Sequence, residues 1–191
     1  MSIIVICFET MRSIHGAIKE ILWTAVLLAV FLSMSHLIFG VWQPLIAVES
    51  GSMEPHIYKG DVVIVNAKKD VITWEEGKNL NYTSFGDYGD VILYRRFGTS
   101  EKVIHRAMYY VDVNEPMWEG GPSAPHSGYI TKGDNPTTNK YYDQQGSVSY
   151  LTPVKDEWVV GVAEFRIPKV GYITLAFRKI IGGLILSLIH I

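Results

Sequence analysis

The sequence predicts a mainly β chain, with an antiparallel β domain between an N-terminal transmembrane helix and a C-terminal apolar helix. Three observations predict it. Hydrophobic residues make up 48% of the chain and charged ones 19%, and the apolar residues concentrate at the two ends. From 44 to 168 the pattern is short, period-two and β-branched, with no long helical periodicity. Gly-Asp pairs and a Pro/Gly-rich stretch punctuate that middle at intervals suited to turns.

The 191 residues allow one ordinary domain plus membrane segments. The formal net charge of -2 gives no support for nucleic-acid binding, which favours a strongly basic patch. The single cysteine, Cys7, cannot form an internal disulfide, so the fold is not a disulfide scaffold.

Residues 1–20 read as a cytoplasmic N-terminal segment carrying Arg12, His15 and Lys19. Residues 21–43 read as a transmembrane anchor. The run 21–42 holds 22 residues without Asp, Glu, Lys or Arg, and as a helix spans about 33 Å, enough for a bilayer core. It is longer than the apolar region of a cleaved signal peptide and ends in Val41-Trp42-Gln43-Pro44 rather than in a small-residue cleavage site. Trp23 and Trp42 lie near its ends, where aromatic residues favour the interface. Arg12 and Lys19 precede the run, whereas Glu49 and Glu54 follow it, so the positive-inside bias puts the N-terminus in the cytoplasm and Ser52 outside. His36, inside the span, is an ionisable group at membrane depth.

Residues 44–169 read as the extracytoplasmic domain. Asp61-Val62-Val63-Ile64-Val65-Asn66 and Asp90-Val91-Ile92-Leu93-Tyr94-Arg95-Arg96-Phe97 are strands, each opened by a Gly-Asp turn. Residues 98–101 make a hairpin connection into a strand over 102–111. Residues 114–128 are a loop, 129–131 a short strand, 132–136 a turn, and 158–165 the last clear strand. Residues 170–191 are apolar again and read as a helix, interfacial or a second membrane segment, since 180–191 is only 12 residues long.

One stretch in the domain carries chemistry: Glu49-Ser50-Gly51-Ser52-Met53-Glu54-Pro55. A serine hydroxyl becomes a nucleophile only beside a base that takes its proton and donors that hold an oxyanion. Standing alone, serine beside glycine is more often a turn residue. Ser52 is ten residues past Trp42, a span of at most ~35 Å, which holds it close to the membrane and suits a membrane-bound substrate. Of six histidines, His15 and His190 lie at the chain ends, His36 in the anchor and His126 in the Pro/Gly-rich loop. His56 is four residues from Ser52 with Pro55 between, a geometry that rarely aims a side chain at its neighbour. His105 lies mid-strand, either as a base or as a histidine packed on a sheet face, and Lys102 would serve as a base only if buried.

The ordered set Ser50-Gly51-Ser52-Met53-Glu54-Pro55, Lys59-Gly60-Asp61-Val62-Val63, Gly89-Asp90-Val91-Ile92, Val103-Ile104-His105-Arg106, Thr131-Lys132-Gly133-Asp134-Asn135 and Phe165-Arg166-Ile167-Pro168 resembles the type I signal peptidases over residues 47–175. His105 stands where the bacterial branch has a lysine, which is similar to the archaeal and endoplasmic-reticulum branch with its Ser, His and Asp. The resemblance implies an antiparallel β domain of signal-peptidase type and a membrane-bound serine endopeptidase that cleaves N-terminal signal peptides from exported preproteins. It implies Ser52 as nucleophile, His105 as general base, and the Ser52 N–H with the Ser50 hydroxyl as oxyanion donors, Met53 belonging to the same binding motif. For the acid it leaves two carboxylates. Asp134 fits the first family position, but six residues later stands Lys140, and the next aspartate is Asp143. Asp143 is favoured as the residue orienting His105, with Asp134 as a second required carboxylate; a turn aspartate is the plainer reading of Asp134.

The implied partners are signal-peptide-bearing preproteins, membrane lipid and the protein-export machinery, with no nucleic acid. No cofactor or metal is implied. The chain's size and His105 favour a compact archaeal-type enzyme in the cell membrane. A eukaryotic reticulum subunit or a sporulation-type bacterial homologue stands beside that origin, and a substrate-specific processing peptidase of the same fold, a non-catalytic membrane-anchored subunit and a plain anchored β domain with Ser52 as a turn residue stand as the alternatives.

Overall fold

In the computed structural model, residues 3–41, 44–67, 70–173 and 176 are described, the first eleven of them by backbone alone. The chain divides into two units, Met1–Trp42 and Gln43–Ile191.

The first unit is one helix, α1 (Ile3–Phe39). It is continuous through the residues read as a separate N-terminal segment, since nothing between Phe8 and Ile21 breaks a helix: no proline is present and Gly16 stands alone. Ile14–Phe39 is long and apolar enough to cross a membrane. Its large side chains are exposed on every side, among them Leu22, Trp23, Val26, Leu27, Phe31 and Leu37. Apolar side chains facing outward on every side give Ile14–Phe39 the character of a membrane span rather than of an amphipathic surface helix.

The second unit is built on an antiparallel sheet. Its strands are β1 (Leu45–Ala47), β2 (Val62–Asn66), β5 (Val91–Arg95), β6 (Lys102–Val111), β7 (Gly128–Lys132) and β8 (Val159–Ile167). They lie in the order β1-β2-β8-β5-β6-β7. A small hairpin, β3 (Thr83–Ser84) and β4 (Asp87–Tyr88), stands apart. The central strand β5 is buried on both faces, which explains its unbroken apolar run. Val91 and Leu93 pack with Val63, Val65, Met53 and Ile57 on one face. Ile92 and Tyr94 pack with Ala107, Tyr129 and Val162 on the other.

The Gly-Asp pairs do more than turn the chain. Asp61 accepts the backbone N–H groups of Tyr58 and Lys169 and an Arg166 guanidinium N–H, at 3.0, 3.1 and 3.0 Å. Asp90 accepts the Ile72 N–H at 2.9 Å and the Tyr82 hydroxyl at 2.8 Å. Each carboxylate thus staples a loop onto the head of its strand. Gly89 has φ 71°, and a Cβ there would meet the Trp74 backbone at 2.4 Å, so only glycine fits.

The domain also holds a short helix, α2 (Trp74–Leu80), which the sequence reading lacked. It is only seven residues long and is closed at its start by a Thr73/Glu76 capping box. The apolar helix expected over 170–191 lies largely outside the described residues. The backbone at 171–173 is helical.

Candidate active site

Ser52 sits in the turn between β1 and β2, and the turn is fixed from below by its neighbour. Met53 is fully buried against Val48, Ile57, Val63 and Val91, so its side chain is an anchor of the core and does not face the site. The backbone then closes on itself, with the His56 and Ile57 N–H groups both donating to Met53 O at 2.9 Å. A second segment, 133–135, grips the turn from the side. The Asn135 N–H donates to Ser52 O at 2.9 Å, and its side-chain amide donates to Gly51 O at 2.8 Å. Gly133 permits this approach, since a Cβ there would lie 2.6 Å from Ser52 O.

Held this way, Ser52 Oγ lies 3.0 Å from Nε2 of His105, in mid β6. His105 Nδ1 lies 2.6 Å from Asp143 Oδ2, and both residues are buried. Asp143 opens a 3₁₀ turn, Asp143–Gln145, packed beside β7. The same carboxylate oxygen accepts the Thr131 hydroxyl at 2.6 Å and the Tyr94 hydroxyl at 3.0 Å. Burial opposes the charge on Asp143, but the His105 hydrogen bond and charge, with Thr131 and Tyr94, hold its carboxyl below the ordinary value of 3.8. Burial and the Asp143 charge push the Tyr94 hydroxyl well above its ordinary value, so Tyr94 stays a donor. An ionised Asp143 only accepts, so His105 Nδ1 must donate to it. That tautomer leaves Nε2 as an acceptor for the Ser52 hydroxyl. With the Ser52 proton aimed at His105, the Ser50 hydroxyl, 3.2 Å away, donates to Ser52 Oγ.

Asp134 occupies a different place. Arg106 Nε and Nη2 donate to its two oxygens at 2.9 and 2.6 Å, and His56 Nδ1 lies 2.8 Å from Oδ2. Arg106 is 1% exposed. Its Nη1 donates to the carbonyls of Ser84, Tyr88 and Gly89 at 3.0, 3.1 and 2.9 Å. Successive residues of a strand point to opposite faces, so His105 and Arg106 reach two separate aspartates on the two sides of the sheet.

No family model matches the chain. It is 30% identical over 137 residues to the signal peptidase complex catalytic subunit of Yarrowia lipolytica, covering 71% of this chain and 64% of that one. It is 30% identical over 136 residues to the protein of the same name from Komagataella phaffii, covering 71% and 67% of the two chains. The corresponding Saccharomyces cerevisiae protein is 28% identical over 132 residues, with 69% and 64% covered. The chain belongs to the type I signal peptidase family. It spans just under two thirds of the length of the Yarrowia relative.

Within this family member, the predicted site residues therefore divide. Ser52, His105, Asp143 and Ser50 come together in one chain of hydrogen bonds. Asp134 contacts Arg106 and His56 rather than His105, and Met53 belongs to the core. Lys102, the other base considered, is exposed at the start of β6. His126 lies in a separate aromatic cluster, edge-on to Trp158. Five functional neighbours went unread as such: Tyr94, Thr131, Arg106, Asn135 and His56. All sit inside or beside the family motifs, His56 directly after Pro55, and the local signal for Tyr94, Thr131 and Arg106 was a polar group within an otherwise apolar strand. Among the described residues no group of three His, Cys, Asp or Glu side chains is placed to hold a metal ion.

Proposed function

We propose that this chain is a membrane-anchored serine endopeptidase that removes N-terminal signal peptides from exported preproteins. The observation that carries this reading is the relay from a part-buried Ser52 Oγ to His105 at 3.0 Å and from His105 to Asp143, both buried, at 2.6 Å. The relatives support it, since their names describe catalytic subunits of a signal peptidase complex.

Ser52 Oγ attacks the scissile carbonyl carbon while its proton passes to His105 Nε2. Asp143 holds the imidazole in the accepting tautomer and compensates the imidazolium once it forms. The oxyanion takes the Ser52 N–H and the Ser50 hydroxyl. The tetrahedral intermediate collapses by breaking the C–N bond, and the His105 proton goes to the leaving amine. Water then attacks the Ser52 ester, gives a proton to His105, and frees the serine and the new carboxylate. Asp134 supports this chemistry from outside it, by pairing with Arg106 and the Ser52 turn.

The substrate is an extended segment with small residues before the cut, as signal peptides supply. β1 is an edge strand and runs directly into the Ser52 turn, so a peptide added beside it as a strand would reach the nucleophile. The N-terminal helix anchors the chain in the membrane across which preproteins are exported. Its N-terminus is cytoplasmic and residues 44–169 are on the far side. Other subunits of a signal peptidase complex, the export machinery and surrounding lipid are the partners this places within reach.

Cleavage of a preprotein by the purified chain in detergent tests the reading, with Ser52→Ala and His105→Ala beside it. Wild type should cut at the signal-peptide boundary, and each variant should lose nearly all activity while remaining in the membrane fraction. Substantial cleavage by Ser52→Ala would refute the nucleophile. Cleavage of one precursor alone would favour a narrow processing peptidase. Failure of wild type even with added membranes lacking their own peptidase would favour a non-catalytic subunit.

A further inference from the structure

We propose that His56 is a positioning residue for the Ser52 nucleophile and acts through Asp134. This deepens the serine-peptidase reading and rests on it. His56 closes the Ser52 turn, its N–H donating to Met53 O at 2.9 Å. Its ring Nδ1 lies 2.8 Å from Asp134 Oδ2. That carboxylate cannot drift. Arg106 grips both of its oxygens, and the arginine is itself fixed by four carbonyls from the segment 84–89. An ionised carboxylate only accepts, so His56 Nδ1 donates whether or not the ring is protonated.

The ring is also three-quarters covered. The turn at Gly86 closes over it, and a Cβ there would stand 3.2 Å from His56 Cδ2 and 3.5 Å from Nε2. Neighbouring Asn135 holds the other end of the same turn through Gly51 O and Ser52 O. The segment 133–135 therefore grips the nucleophile turn twice, once at Gly51 and Ser52 and once at His56. Met53 anchors the turn in the core and Asn135 holds Gly51 and Ser52, while His56 ties down the far side, so that the three together fix the direction in which Ser52 Oγ points. Direction matters because the Ser52 hydroxyl must stay within hydrogen-bond reach of His105 Nε2, now at 3.0 Å. A misplacement of about 1 Å costs on the order of 100-fold in rate. His56 touches none of the reacting groups, so its effect passes through the turn.

The test is steady-state cleavage of a signal-peptide substrate by the full chain in detergent, with thermal midpoints recorded alongside. Wild type is compared with His56→Ala, His56→Asn, His56→Gln and Ser52→Ala. An Asn side-chain N–H can stand where Nδ1 stands, whereas a Gln amide reaches toward the position of Nε2. His56→Ala and His56→Gln should lose about 10- to 100-fold in kcat, with KM within about twofold of wild type. His56→Asn should recover most of that loss, although its thermal midpoint matches that of His56→Gln. Wild-type kcat in His56→Ala overturns the proposal. So does an equal fall in all three variants that follows their thermal midpoints, which is what a purely structural role gives. Cleavage by Ser52→Ala at the wild-type rate overturns the serine-peptidase reading itself, and this inference with it.

Discussion

Replacing Asp143 by Asn keeps the size of the side chain and removes its charge, and the geometry sets how much that should cost. One carboxylate oxygen receives three donors, His105 Nδ1 at 2.6 Å, Thr131 Oγ1 at 2.6 Å and Tyr94 OH at 3.0 Å. The two hydroxyls can rotate away, but the imidazole N–H cannot. If the amide presents its oxygen, His105 keeps its tautomer but the imidazolium formed in the reaction has lost its buried counter-charge. If the amide presents its nitrogen, its N–H faces Nδ1 and forces the proton onto Nε2, which then cannot accept from Ser52. Loss of the carboxylate in a serine–histidine relay costs kcat about 10⁴-fold, or about 5.4 kcal/mol of transition-state stabilisation. The control is Asp134→Asn. There the larger loss should fall on folding, because the 1%-exposed Arg106 keeps its carbonyl partners but loses its counter-ion, with kcat falling far less than in Asp143→Asn and only through the His56 contact. Breaking a buried pair in this way costs about 3 kcal/mol or somewhat more. Single-turnover cleavage and denaturant midpoints, measured on both variants, separate the two effects. Near-wild-type cleavage by Asp143→Asn beside a folded but inactive Asp134→Asn would mean that the roles of the two aspartates are reversed.

Two further outcomes follow from the same contacts. Gly133→Ala places a methyl group 2.6 Å from Ser52 O and from the Asn139 side chain. The 133–135 segment must then retreat, at a cost of about 1–3 kcal/mol of unfolding free energy, read by denaturant titration, and kcat should fall with it; an unchanged kcat would show that this approach does not hold Ser52. Acid should destabilise the domain, because Asp143 and Asp61 are both held below the ordinary value of 3.8 against the opposing effect of burial. Their hydrogen bonds and ion pairs favour the charged form in the folded state, so their contribution is complete above about pH 4 and is lost as pH falls through the lowered folded values. Denaturant midpoints taken from neutral pH down to about pH 3 should fall, and less steeply in Asp61→Asn; a rising midpoint would refute the sign.

Local chemistry reaches a long way into this chain. Short runs of β-branched and aromatic residues bounded by turn residues mark β2, β5 and β6, and the length of the apolar run marks α1 because a bilayer has a set thickness. The Gly-Asp turns are legible because glycine accepts the left-handed backbone found at Gly60 and Gly89 without steric cost. α2 escaped because seven residues give too little periodicity, although Thr73 and Glu76 carried a capping box in plain view. The three-residue β1 is shorter than any alternation can show.

By itself the sequence determined the class of the fold, the apolar N-terminal helix, and a short set of candidates, namely one serine in a tight turn, one mid-strand histidine and two aspartates nine residues apart. The tertiary structure alone decided which aspartate meets which partner. His105 stands opposite Ile92 and Arg106 opposite Val91 across the β5–β6 pair. The two side chains therefore leave the sheet on opposite faces. Asp143, on its 3₁₀ turn beside β7, lies on the His105 face with Tyr94, and Asp134 lies with Arg106 on the other. Spacing along a chain cannot tell these faces apart, because the loop from 133 to 142 is free to go either way until the strands are paired.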